Sequence, residues 1–219
     1  MEGPAMIKIL YEDNHLLVAV KPKGILSQAD GSKKEDMLTI LKVYLKEKYQ
    51  KPGNVYLGLV HRLDINTSGV MVFAKTSKAA ARLSKQIQEH TFKKKYHAIV
   101  EGRLEGGSTL EAYVLKNEIE KKSYIDAKGL YASLTYQVLE TKELKGGFVS
   151  FVDIELKTGR FHQIRAQFSH IGHPIYGDKK YGSRYTIEAT EFPLDAYRIE
   201  FQHPISKKIM TFQQESLHL

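Results

Sequence analysis

The chain has 219 residues, 42% of them hydrophobic, enough apolar material for a sizeable core, and one compact domain over residues 1–219 is expected. Its 33 lysines and arginines outnumber 25 acidic residues, and the net charge of +8 favours an anionic partner. The lack of cysteine excludes disulfides, thiol nucleophiles and cysteine-ligated metals. No apolar run approaches the roughly 18 residues of a membrane span, and no signal-peptide core is present, so a soluble, cytoplasmic protein is expected.

Residues 1–6 carry no structural signal and are expected to fray as a tail. Ile7 to Leu10 and Leu16 to Val20 read as a hairpin-like pair of strands, followed by the turn Lys21-Pro22-Lys23-Gly24. A polar loop, Ser27 to Lys34, leads to the first helix. Within Asp36 to Tyr49, Met37, Leu38, Leu41, Tyr44 and Leu45 recur at helical spacing, and Pro52-Gly53 ends the pattern.

Two short apolar runs follow, Tyr56 to Val60 and Val70 to Ala74, both readable as buried strands. Between them lies His61-Arg62-Leu63-Asp64-Ile65-Asn66-Thr67-Ser68-Gly69, a dense polar loop. Strands that hold geometry while a loop supplies chemistry are a common active-site arrangement. Arg62 and Asp64 are two apart and can share one side of an extended segment, where the cation keeps the carboxylate ionised. The alternative is a structural loop in which Asp64 and Asn66 bond nearby backbone.

Thr76-Ser77 can cap a second helix running to about His90, with Ala80, Leu83 and Ile87 inward and Lys78, Arg82 and Lys85 on the other face. Lys93 to Glu101 alternates as a strand, with Tyr96, Ala98 and Val100 on one side and Lys95, His97 and Ile99 on the other. Thr109 to Leu115 and Tyr131 to Glu140 are further strands, and the charged Lys116 to Asp126 reads as an exposed connection. Phe148 to Leu156 is a strong strand. Beyond Thr158-Gly159, Phe161, Ile164, Phe168 and Ile171 mark a helix with one buried stripe, leaving His162, Arg165 and Ser169 on another face. Strands at about Ala196 to Gln202 and Lys208 to Phe212 complete an α+β fold with a mostly antiparallel sheet.

Three blocks carry a family resemblance. The loop His61 to Gly69 resembles the H-R-L-D-x-x-T-S-G signature of the RluA-type pseudouridine synthases, which isomerise uridine in structured RNA. Lys94-Lys95-Tyr96-His97-Ala98-Ile99-Val100-Glu101-Gly102 is similar to their K-x-Y-x-A-x-V-x-G strand. Thr158 to Arg165, running on to Gly172-His173-Pro174-Ile175-Tyr176-Gly177-Asp178, is similar to their T-G-R-x-H-Q-I-R and G-H-P-I-x-G-D segment. The early K-P-x-G turn is also similar, and together the blocks reach from about residue 7 to the C-terminus.

The resemblance implies Asp64 as the catalytic carboxylate, Arg165 as the cation that pairs with it, and Tyr96 as the ring that packs on the uracil and relays the C5 proton. Arg62 would take the place vacated by the extruded nucleotide. His61, Thr67, Lys94, Arg160 and His162 would join it in binding RNA, with His162 ordering the third block. Neither cofactor nor metal is implied. His162, His170, His173 and Asp178 look superficially like a metal set, but His162 and His170 are eight apart, outside the pairing that puts two imidazoles on one ion.

Gln167, Leu134 and Leu194-Asp195-Ala196 depart from the family pattern without touching Asp64, Tyr96 or Arg165. Many relatives carry a separate N-terminal S4-type domain. Here the first strand begins near Ile7, so a stand-alone monomeric catalytic domain is expected to recognise a stem-loop of large-subunit rRNA or tRNA by itself. Two rival readings are a catalytically silent RNA-binding module on the same fold and a carboxylate glycosidase, which lacks an evident second carboxylate.

Overall fold

The computed structural model describes residues 7–144 and 146–215, and the tail expected at residues 1–6 lies outside them. The chain forms two compact units, one from residues 7–92 with 198–214, the other from residues 93–197. Both are built on antiparallel strands and carry helices, giving the α+β class expected. Among the described residues no helix is long and apolar enough to cross a membrane.

In the first unit, β1 (Ile9–Glu12) and β2 (Leu16–Lys21) form the expected hairpin, shifted two residues later at its start. The shift follows from Asp13, whose Oδ1 accepts the N–H groups of His15 and Leu16, both at 2.7 Å. That Asx turn fixes the reversal at residues 13–15 and leaves Tyr11 and Glu12 to the strand. β2 pairs antiparallel with β4 (Ser68–Ala74) from Leu16↔Ala74 to Lys21↔Gly69.

The expected strand at 56–60 shrinks to β3 (Gly58–Leu59), paired with the end of β4. Tyr56 points outward and is half exposed, so Leu57 alone of this run is buried, with Val55 just before it. α1 (Met37–Lys48) starts on Asp36, whose Oδ1 accepts from the Thr39 N–H at 3.1 Å. It buries Met37, Leu41 and Leu45. α2 (Ser77–Gln88) starts likewise on Thr76, whose hydroxyl accepts from the Ala79 N–H at 3.1 Å.

Leu16, Val18, Val70, Val72 and Ala74 pack with Ala79, Leu83, Phe92, Ile199 and Phe201 in one cluster. The opposite faces of the same strands carry Leu17, Ala19, Met71 and Phe73, also sealed from water. Both faces of β2 and β4 are therefore core, which explains the unbroken apolar runs.

The second unit carries antiparallel strands in the order β5-β9-β8-β6-β7, namely β5 (Lys93–Glu101), β6 (Gly107–Asn117), β7 (Lys122–Ile125), β8 (Leu130–Leu144) and β9 (Gly147–Leu156). β7 corrects the exposed connection expected over 116–126. The Asn117 side chain accepts the N–H groups of Ile119 and Glu120 at 3.0 and 3.1 Å, and Lys121 adopts φ 47°, so the segment turns and pairs back on β6. Ser123 on the returning strand is buried, its amide held by Tyr181 Oη at 2.7 Å and its hydroxyl by the Phe161 carbonyl at 2.6 Å.

α3 (Gln163–His170) is shorter than the apolar pattern implies. His162 at φ 52° breaks the helix before Phe161 can join it, and Ile171 ends more than a third exposed. Two glutamines are buried instead. Gln163 Nε2 donates to Ser133 O at 3.1 Å, and Gln167 Nε2 donates to Leu110 O at 3.0 Å, so polar side chains satisfy sheet carbonyls where apolar ones would leave them bare.

β10 (Leu194–Gln202) carries the chain back into the first unit, where its Arg198–Gln202 half pairs with β11 (Ile209–Gln213). His203 closes that hairpin. Its Nδ1 accepts the N–H groups of Ile205 and Ser206, which leaves Nε2 to donate to Asp13 Oδ2 at 2.9 Å.

Glu12 is a second knot in the first unit, accepting from Lys48 and Lys75 at 2.8 Å each, from Tyr49 at 2.6 Å and from Tyr44 at 3.0 Å. Burial alone would raise its pKa, but these four donors outweigh burial and hold it at about 2. The folded carboxylate stays ionised below the 4.5 of an ordinary glutamate, so its stabilisation is full above pH 4.5 and is lost as pH falls toward 2. Glu12→Gln should lower stability at neutral pH and flatten this part of the acid-unfolding curve, as measured by urea denaturation at a series of pH values.

Candidate active site

The loop at 61–67 is held at both shoulders. Ser27, buried, donates its hydroxyl hydrogen to Leu63 O at 2.9 Å and accepts the Leu63 N–H at 3.0 Å. Lys21 is fully buried at the end of β2, and its ammonium donates to the carbonyls of Pro22 at 2.9 Å, Ile25 at 2.7 Å and Ile65 at 3.0 Å. An ammonium has three hydrogens, and each finds an acceptor. Ile65 O also accepts the Gly24 N–H at 2.9 Å, and Gly24 at φ 83° has the conformation that lets the K-P-x-G turn come close.

Between these anchors Asp64 to Thr67 make a tight turn, closed by the Thr67 N–H on Asp64 O at 3.0 Å. Asp64 is half-buried on it, Arg62 is exposed, and Thr67 is buried. Burial pushes the Lys21 ammonium down to about 7, and the neighbouring Asp64 carboxylate opposes the shift. Lys21 thus sets both the backbone and the charge beside Asp64. His61 turns inward: its Nε2 accepts the Val72 N–H at 3.1 Å, and its ring lies 5.4 Å from that of Phe92.

The remaining candidates lie in the second unit. Lys94 and Tyr96 share the buried face of β5, while Lys95 on the other face pairs with Asp153 at 3.0 Å. Arg160 is exposed, its Nε donating to Tyr131 O at 2.9 Å. Arg165 projects from α3 into a built cradle. Asp178, buried, grips it through Nε at 2.7 Å and Nη2 at 2.9 Å, a bidentate arrangement that fixes the guanidinium plane. The rings of Tyr181 and Phe192 lie 4.8 and 5.5 Å from its central carbon.

His162 completes the cradle. Arg165 Nη1 donates to its Nε2 at 3.0 Å, so its hydrogen sits on Nδ1 and is donated to Tyr181 Oη at 2.9 Å. Burial, then the charges of Arg165, Lys180 and Lys116, hold its pKa down at about 2, so the ring is neutral at any working pH. His173 Nδ1 meets Glu101 O at 2.7 Å, far from any metal role. Among the described residues no group of three histidines or carboxylates is placed to hold a metal ion.

The sequence blocks therefore name Asp64, Arg165 and His162 but miss what holds them. Ser27 carried no signal. Lys21 did, as a charge ending the apolar run Leu-Leu-Val-Ala-Val, and Asp178 was visible in the third block without an assigned partner.

Residues 15–170 match the profile of the family described as RNA pseudouridylate synthase. The chain belongs to that family. Among its relatives, the ribosomal large subunit pseudouridine synthase D of Pseudomonas aeruginosa is 36% identical over 90% of this chain and 64% of its own length. The enzyme of the same name from Nitrosomonas europaea is 33% identical over 94% of this chain and 61% of its own. The chain thus spans less than two thirds of these relatives. A solved structure, human RNA pseudouridylate synthase domain containing 4, shares the fold with TM-score 0.76 and 22% identity, over 96% of this chain and 88% of that one.

Two variants test this architecture of a pseudouridylate synthase family member. Lys21→Met should speed amide hydrogen exchange at Gly24 and Thr67 by about tenfold or more, since the bonds that hold the loop are lost. Folded Lys21 gives up its proton near pH 7 whereas an unfolded lysine keeps it to about 10.5, so wild-type stability gains with pH across that window, and the variant should lack this share of the gain. Asp178→Asn removes the buried carboxylate that grips Arg165 at two nitrogens and should cost about 3–5 kcal/mol in urea unfolding.

Proposed function

We propose that this chain is an RNA pseudouridine synthase, isomerising specific uridines in structured RNA without a cofactor. The observation that carries the reading is Asp64 on a turn clamped by Ser27 and Lys21, within the family's signature block. Pseudouridine formation breaks the N1 to C1′ bond, turns the uracil and joins C5 to C1′, so it needs an ionised carboxylate rather than redox chemistry or hydrolysis. Asp64 fills that role, by attack on C1′, by addition to C6, or by taking the 2′ proton.

In this reading Arg165 pairs with Asp64 and keeps it charged, Tyr96 packs on the base and relays the C5 proton, and Arg62 occupies the place the nucleotide leaves. Extrusion costs a few kcal/mol, which such contacts offset. The bidentate grip of Asp178 supports the assignment of Arg165, because it presents the guanidinium in one orientation before substrate arrives. The substrate is a stem-loop, with large-subunit rRNA favoured over tRNA by the names of the relatives. The enzyme acts as a cytoplasmic monomer.

RNA carrying tritium at uridine C5 separates this reading from a silent RNA-binding module. The wild type should release label from an rRNA pool, and Asp64→Asn should lower release by at least about a thousandfold while RNA binding persists. Label retained by the wild type across rRNA and tRNA pools would overturn the activity, and substantial release by the variant would overturn the role of Asp64.

A further inference from the structure

Three lysines open β5, and they differ sharply. Lys95 is spent on Asp153 at 3.0 Å. Lys94 is only 9% exposed, yet its ammonium makes no hydrogen bond or ion pair with any other described residue. Burial alone pushes it down to about 8, so it still carries its charge at neutral pH. A cation taken from water without a counter-charge is a standing cost, and native interiors rarely keep one that nothing else uses.

Its surroundings leave one side open. Across the strand pair Lys94 faces Leu156, which offers no acceptor. A side chain at Gly159 would place its first carbon 3.0 Å from the Lys94 nitrogen and meet nothing else within 4 Å, so the glycine leaves room beside the ammonium over the T-G-R turn. The Gly159 N–H also makes no hydrogen bond to another described residue. Thr158 is buried and fixed by Gln163 at 2.7 Å, and the Arg160 amide by the same glutamine at 3.0 Å, so the turn is rigid on both sides of Gly159.

We propose that Lys94 and the Gly159 amide form a subsite for a backbone phosphate of the RNA, next to the nucleotide that meets Tyr96. This rests on the reading of the chain as an RNA-modifying enzyme. A neutral carbonyl of a base would satisfy a hydrogen bond but leave the charge unbalanced, whereas a phosphate oxygen does both. Lys94 and Tyr96 are successive residues on one strand face, about 7 Å apart, so the phosphate belongs to the target nucleotide or its immediate neighbour. The contact is independent of sequence and serves to set the register of the strand while other groups read the base.

The test uses the whole protein with lysine side chains labelled for NMR, the Lys94 signal being assigned by its loss in Lys94→Met. Uridine 3′,5′-bisphosphate should shift that signal saturably, and uridine at the same concentration should not. Lys94→Met, checked for an otherwise unchanged spectrum, should bind the bisphosphate about tenfold or more weakly. Gly159→Ala keeps the ammonium but crowds it, and should weaken binding in the same direction. No bisphosphate-dependent shift at Lys94, an equal response to uridine, or unchanged affinity in Lys94→Met would each overturn the proposal. Release of tritium is measured separately: a protein that isomerises uridine while Lys94 ignores phosphate refutes the subsite alone, and phosphate binding without label release refutes the activity and leaves the subsite standing.

Discussion

The first unit depends on one buried ammonium. Lys21 reaches from the end of β2 to three carbonyls, one of them in the loop that displays Asp64. A buried lysine is costly, and this one is tolerated because all three of its hydrogens are taken and a carboxylate lies close by. The same contacts convert a polar nine-residue loop into a tight turn of fixed geometry. β4 begins immediately after that turn, at Ser68, so the loop has almost no slack between its anchors and a strand sealed on both faces.

The second unit solves a similar problem with opposite charges. Arg165 is gripped by a buried carboxylate, bonded to a neutral histidine and flanked by two rings. His162 keeps its neutrality because it is buried, and because a second proton would face Arg165 and lose the bond it accepts from it. His162 takes a left-handed backbone at the start of α3, and its ring meets Tyr181 and Arg165. A locally unfavourable backbone is thus exchanged for an oriented cation.

Much of this was legible in the sequence where apolar spacing and capping chemistry agree. Asp36 and Thr76 start their helices as side-chain acceptors do, and the runs ending at Val20 and Ala74 are strands because both faces are core. Two of the misreadings involve polar residues used inside. Gln163 and Gln167 are buried for their hydrogen bonds, so an apolar stripe mislocated the ends of α3. The charges of Lys116 to Asp126 made β7 look like a surface connection, and the buried side chain of that strand, Ser123, is itself polar. The site blocks were readable as motifs, but Ser27 and Lys21 act on the loop from 36 and 44 residues away in sequence, and no local pattern encodes such a contact.

The pairing of Asp13 with His203 spans 190 residues, and α2 makes parallel long reaches, with Arg82 on Pro204 O and Gln86 on Gln202. The first unit is therefore assembled from two segments far apart in sequence, with Ile199 and Phe201 supplying part of its core. During synthesis the early hairpin and its two helices emerge long before those last strands exist, while the sequence in between is continuous and free to organise by itself. The unit that displays the carboxylate therefore cannot close its core until β10 and β11 have been made, and until then Val72, Leu83 and Phe92 lack Ile199 and Phe201 as packing partners.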